Sequence, residues 1–231
     1  MLNSLLTTIA DHGTAGVIDL SYGRAWVKAT RNIFVAAEQT GIRTNKDINA
    51  GDPIGLGMGT VTCYQGKRVT AVSAYLSTTP SNLTIVTGAL ASKLVLEGKM
   101  VKGVETVDGR AFSAVSEVIV CAGALNSPQL LLLSGIGPGD ELKKHGIPVL
   151  HELPAVGKNL QDHCFSTVGV VVKHSPEFEE EQTPLSPSPM AFLKSASALT
   201  SPEYHQLPWQ VHRHLQAPTV PNFEMALVSK V

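Results

Sequence analysis

The stretch Val118-Ile-Val-Cys-Ala-Gly-Ala-Leu-Asn-Ser-Pro-Gln-Leu-Leu-Leu-Leu-Ser-Gly-Ile-Gly137 limits what this chain can fold into more than any other feature. β-Branched residues lead to Cys121, and small residues follow at Ala122 and Gly123. Ser127-Pro128 then reads as an N-cap and first helical residue ahead of a leucine-rich helix that stops at Ser134-Gly135. A strand that runs directly into a helix is a building unit of α/β folds. Where bulk is absent, at Ala122-Gly123, a flat cofactor or another backbone can approach closely. The N–H groups at the helix start, Ser127 to Leu130, can receive an anionic or polar group. Geometry alone leaves two readings open, cofactor binding and plain strand-to-helix packing.

The rest of the chain supplies the context. Short β-branched runs at 83–87, 93–97, 101–106 and 117–121, with Gly98-Lys99 and Asp108-Gly109 as tight turns, predict a meander leading into a final buried strand. Upstream, Trp26, Ala29, Ile33, Phe34 and Ala37 recur at three- and four-residue steps and predict a helix over 24–39, stopped by Gly41. The Asn-, Asp- and Gly-rich stretch 45–59 reads as a long loop. Within it, Gly55-x-Gly57-x-Gly59 has Thr60 where a dinucleotide fingerprint needs its last glycine, and no strand precedes it, so it is expected to be flexible. A short helix over 139–145 carries Asp140 and Glu141 first and Lys143 and Lys144 last, the order that the helix dipole favours. Residues 174–189, rich in proline and glutamate, are expected to form an extended surface loop that marks a boundary.

Composition narrows the function classes. With 18 basic and 19 acidic side chains in 231 residues, the formal charge of −1 provides no field to draw in nucleic acid or an anionic membrane. The apolar run 130–133 is far short of the roughly 20 residues that a bilayer span needs. Met1 to Ala10 has no basic residue before its leucines and does not read as a secretory signal. Cys63, Cys121 and Cys164 follow neither disulfide nor zinc spacing and are expected to be buried free thiols. His212 and His214, spaced to share one face of a strand, lack the third ligand of a metal site. His163, after Asp162, reads as a structural loop residue, and the sequon Asn82-Leu83-Thr84 reads as unmodified because it leads an expected core strand. No metal site and no defined oligomeric state follow from these patterns.

The pattern Gly123-Ala-x-x-Ser-Pro-x-Leu-Leu-x-x-Ser-Gly-Ile-Gly137 resembles, at every defined position, the second signature of the glucose-methanol-choline (GMC) oxidoreductases. Further pieces resemble the family in the same order: His12-Gly13-Thr14 with Gly16, Gly51-Asp52, Gly66-Lys67-Arg68 with Ala74-Tyr75-Leu76, Asn82-Leu83-Thr84, and Val156-Gly-Lys-Asn-Leu-Gln-Asp-His163. The likeness covers roughly residues 10–175, and Ser188-Pro-Met-Ala-Phe-Leu193 is similar to substrate-domain sequence of fungal members.

The resemblance implies an α/β (α+β) fold: a partial FAD-binding domain over 1–163, without the dinucleotide fingerprint, and the start of an antiparallel-sheet substrate domain over 164–231. It implies FAD as cofactor, with the Ala91 backbone at the adenine, and Cys121, Ala122 and Gly123 closing over the same end. Ser127, at the expected helix start, completes the cofactor-binding set. Family members take the proton of a small-molecule alcohol with a C-terminal histidine while flavin N5 accepts the hydride. No histidine here matches that position, so no catalytic residue is expected in this chain. The expected function is that of a fragment of an FAD-dependent oxidoreductase acting on CH–OH donors. The alternative is a catalytically inactive remnant that serves as a structural or binding module. With the first βαβ unit lacking, the chain alone is expected to hold FAD weakly or not at all.

Overall fold

Apolar side chains at helical spacing turn one face of α1 (Ala29–Gln39) inward, where buried Ala37 packs with Ile33 and Phe34. This is a computed structural model, and it describes residues 12–22, 29–169 and 188–226; the first residues of the helix expected over 24–39 and most of the proline-rich stretch 174–189 lie outside these. After α1 the backbone turns at Gly41, whose φ of +79° suits glycine. The side chain of Asp47 then ties the following loop: Oδ2 lies 2.6 Å from His12 Nε2, and Oδ1 accepts the Asn49 N–H.

The segment Gly55-x-Gly57 departs from the flexible loop expected there, because it forms β1 (Gly55–Met58), with every residue buried and Leu56 at 1% exposure. Its glycines explain this. A Cβ on Gly57 would come within 2.5 Å of Ile48 Cγ2, and one on Gly55 within 2.6 Å of the Arg43 carbonyl, so the missing side chains let the strand lie flat on residues 43–48. A two-residue hairpin of β2 (Cys63–Tyr64) and β3 (Lys67–Arg68) follows, turning at Gln65 and Gly66. Then comes α2 (Ala71–Tyr75), started by a reciprocal capping box between Thr70 and Ser73.

Residues 82–169 form a unit of their own. The meander appears where alternating residues and tight turns coincide: β4 (Ala91–Glu97), β5 (Met100–Thr106) and β6 (Ala111–Ser113) pair antiparallel in that order. The other two expected strands do not form. Residues 83–87 and 117–121 lie outside every strand, with Ile85 and Ile119 at 52% and 74% exposure, because neither run finds a ladder partner among the described residues. Next come α3 (Gly123–Leu133), β7 (Ile136–Gly137), α4 (Gly139–Lys144) and β8 (His151–Glu152), with β7 and β8 parallel. The acids and lysines of α4 sit at the ends that their charges favour, and Glu152 accepts the Gly139 N–H at 3.0 Å.

Beyond residue 188 the chain forms β9 (Pro189–Leu193), a 3₁₀ turn at Ala198–Thr200, α5 (Pro202–His205), α6 (Trp209–Gln216) and β10 (Phe223–Ala226). His212 and His214 therefore sit on a helix, not on the strand face that their spacing suggested; His212 Nε2 lies 2.6 Å from the Tyr204 carbonyl oxygen. β9 is the middle strand of an antiparallel sheet, β1-β9-β10, with Ala191 fully buried opposite Leu56 and Met225. Residues 1–81 and 170–231 thus make the second unit by way of a pairing across more than 130 residues. That unit is therefore built from two stretches far apart in sequence. The class is the mixed helix and antiparallel-sheet arrangement that the sequence implied.

Candidate functional site

Gly123 sets the geometry of the site. Its φ of +84° is a left-handed conformation that costs a residue with a Cβ, and it lets the chain turn from Ala122 straight into α3. The helix consequently starts four residues before the expected N-cap. Ser127 lies inside the first turns with Pro128 after it, and its Oγ accepts the Ala122 N–H at 3.0 Å. That bond satisfies a donor just ahead of the helix and holds Ala122 against the first turn. Residue 122 makes no side-chain cap, and no acid stands in the first turn.

The start of α3 is therefore a set of backbone N–H groups at the positive end of an eleven-residue helix. Residues 121–126 are exposed, and a Cβ built on Gly123 would meet no atom within 4 Å. The approach to these donors is open. Such a donor set fits the polar and anionic groups of a dinucleotide. Along the same helix, Leu125, Gln129 and Leu132 face the turn 157–161 across a groove of about 540 Å³, in which Asn159 adopts φ +57°.

Of the residues singled out in the sequence, Cys121, Ala122, Gly123 and Ser127 are brought together by this turn. Ala91 stands apart from them at the head of β4, exposed and paired with Thr106. Cys121 and Cys164 are exposed free thiols, not the buried ones expected, since among the described residues no strand layer covers 117–121 or 161–169; Cys63 is buried. Asp162 Oδ1 accepts the backbone N–H of His163 at 2.8 Å. Among the described residues no three His, Cys, Asp or Glu side chains are grouped to hold a metal ion, and no helix is long and apolar enough to cross a membrane.

Sequence reasoning gave Ser134 no role in packing, taking it as a helix stop and a position of the family motif. Ser134 is 5% exposed, and its hydroxyl donates to the Leu130 carbonyl at 2.6 Å while accepting the Leu94 N–H of β4 at 2.8 Å. A small polar residue directly behind four leucines was the signal that could have found it.

Comparison with known proteins gives this site its context. A family model described as GMC oxidoreductase matches residues 23–165. The chain is 41% identical over 156 residues to the oxygen-dependent choline dehydrogenase of Brucella anthropi, a match that covers 65% of this chain and 28% of that protein. It is 34% identical over 234 residues to the mitochondrial choline dehydrogenase of Homo sapiens, covering 90% of this chain and 39% of that one. Among solved structures, a formate oxidase superposes with a TM-score of 0.71 at 25% identity, over 97% of this chain and 45% of the other. A fungal aryl-alcohol oxidase shares the fold, with a TM-score of 0.73 at 19% identity over 96% and 48%. The chain spans between 28% and 48% of the lengths of these relatives. Since the family model takes in well over half of the 231 residues and includes the whole turn from Cys121 to Gly137, the chain belongs to the GMC oxidoreductase family.

Proposed function

We propose that these residues form part of the FAD-binding region of an oxidoreductase that acts on the CH–OH group of a small alcohol. The observation that carries this reading is the open, uncapped start of α3 behind Gly123, in a chain of this family. In this reading Cys121, Ala122 and Gly123 line the adenine end of FAD, Ser127 holds Ala122 in place for it, and Ala91 offers its backbone from the head of β4. FAD, when bound, supplies the hydride acceptor that no side chain can provide. The chain's own part is to bind and orient the nucleotide half. No histidine of this chain is assigned the role of proton-abstracting base.

Residues 1–163 are assigned to the cofactor portion and 164–231 to the substrate portion. The relatives' names support an alcohol as substrate, choline for some and an unspecified alcohol for the Pseudomonas putida alcohol dehydrogenase, 38% identical over 164 residues. The likeness of residues 188–193 to fungal members supports a fungal-type substrate portion.

Visible spectroscopy tests the proposal. Protein from the complete reading frame that contains these residues is expected to be yellow, with a flavin band at about 450 nm, and the 231-residue chain alone to hold little or no flavin. A colourless full-length protein that takes up no added FAD refutes the cofactor reading, and a stoichiometrically yellow short chain refutes the claim that its cradle is incomplete.

A further inference from the structure

We propose that Ser134 is a positioning residue for the nucleotide half of FAD, acting as a clip that sets α3 against β4. The inference rests on the reading above, in which the heads of these two elements meet the cofactor. β4 is an edge strand of its sheet: β5 pairs with one side, and among the described residues no strand pairs with the other. Leu94 is 5% exposed, so its N–H needs a partner that water does not supply. Ser134 Oγ, 40 residues away in sequence, is that partner at 2.8 Å. The same oxygen donates its proton to the Leu130 carbonyl at 2.6 Å, in the last turn of α3. A hydroxyl that donates into one element and accepts from another fixes both a distance and a rotation between them.

The consequence reaches the site along the two elements themselves, β4 back to Ala91 past the register shift between Ala91 and Lys93, and α3 back to Gly123 past Pro128. From Leu94 to Ala91 is three strand residues, about 10 Å, and from Ser134 to Gly123 is eleven helical residues, about 16 Å. A change of angle at the clip is therefore magnified at the far ends of both elements, where the backbone is proposed to meet the adenine. The other packing of α3, buried Leu130 and half-buried Leu132 over Gly137, is apolar and carries no directional preference of its own.

The proposal separates from plain structural support through the choice of ligand, because FMN lacks the adenine half of FAD. Dissociation constants for FAD and FMN are measured by flavin-fluorescence titration of the apoprotein from the complete reading frame, at a temperature where circular dichroism shows every variant folded. Ser134→Ala is expected to weaken FAD on the order of tenfold and to leave FMN within about twofold, while Ser134→Thr, which keeps the hydroxyl, restores FAD. Leu142→Ala, a destabilising change in buried α4, is expected to alter neither. Unchanged FAD affinity in Ser134→Ala, equal weakening of FAD and FMN, or equal weakening of FAD in Ser134→Ala and Leu142→Ala overturns the clip while leaving the cofactor reading intact. A parent protein that binds no FAD overturns both.

Discussion

Gly123 carries the account at the scale of single residues. At φ +84° a side chain costs about 1–2 kcal/mol of backbone strain, and because a Cβ there meets no protein atom, no internal clash is added. Any new bulk instead fills the approach to α3. Gly123→Val is therefore expected to abolish flavin uptake in the full-length protein while leaving circular dichroism native-like, which a paired spectrum of bound flavin and secondary structure checks. A second residue-scale prediction concerns Asp108 in the β5–β6 turn. The Arg110 side chain, donating from Nε at 2.8 Å, and the Thr106 hydroxyl at 2.5 Å hold this carboxyl well below the usual aspartate range. The folded form thus favours the ionised state, so its contribution to stability is present above the ordinary aspartate pKa of about 3.9 and is lost as pH falls below it. Urea denaturation at successive pH values should show parent and Asp108→Asn differing most near neutrality and converging in acid. Gly123 was legible in the sequence because its neighbours form a long motif. Ser134 lies in the same motif, but its bond to Leu94 was not legible, because that partner comes from another element and no local pattern joins them.

The meander was legible at the scale of elements, since β4 and β5 combine alternating side chains with a two-residue turn, so that propensity and tertiary pairing agree. Elsewhere tertiary context prevailed. β1 contains two glycines and read as a loop, yet close approach to residues 43–48 and pairing with β9 make it a buried strand. Gly57→Val is therefore expected to destabilise the β1-β9-β10 sheet by about 1–3 kcal/mol, visible as a lower midpoint in denaturant, because the new Cβ begins 2.5 Å from Ile48 Cγ2. Conversely, 83–87 and 117–121 have strand propensity without partners, and propensity alone did not make them strands. The start of α3 was misjudged by five residues, Gly123 in place of Pro128, because Ser-Pro is a strong helix-start signal, whereas the left-handed Gly123 already begins the helix.

For the whole molecule, the unpaired runs leave Leu83, Ile85, Val86 and Ile119 at 42% to 74% exposure. Apolar rows of this kind are sites for strand pairing with another chain. The 231-residue chain is therefore expected to bind the dye ANS and to associate as its concentration rises, and the double variant Ile85→Lys with Ile119→Lys to reduce both effects in light scattering. A monodisperse parent chain without dye binding would contradict this. Family membership rests on residues 23–165 and was readable because one fifteen-residue motif survives intact. The discontinuous folding unit was not readable, because nothing local announces that β1 will pair with a strand more than 130 residues later.

The central claim is that FAD lies against the start of α3. Amide hydrogen exchange on full-length apoprotein, with and without added FAD, tests it most directly. Peptides spanning 118–127 and 89–94 should gain protection on FAD addition, while those spanning α4 stay unchanged. FAD binding that leaves 118–127 exchanging as in the apoprotein would contradict it.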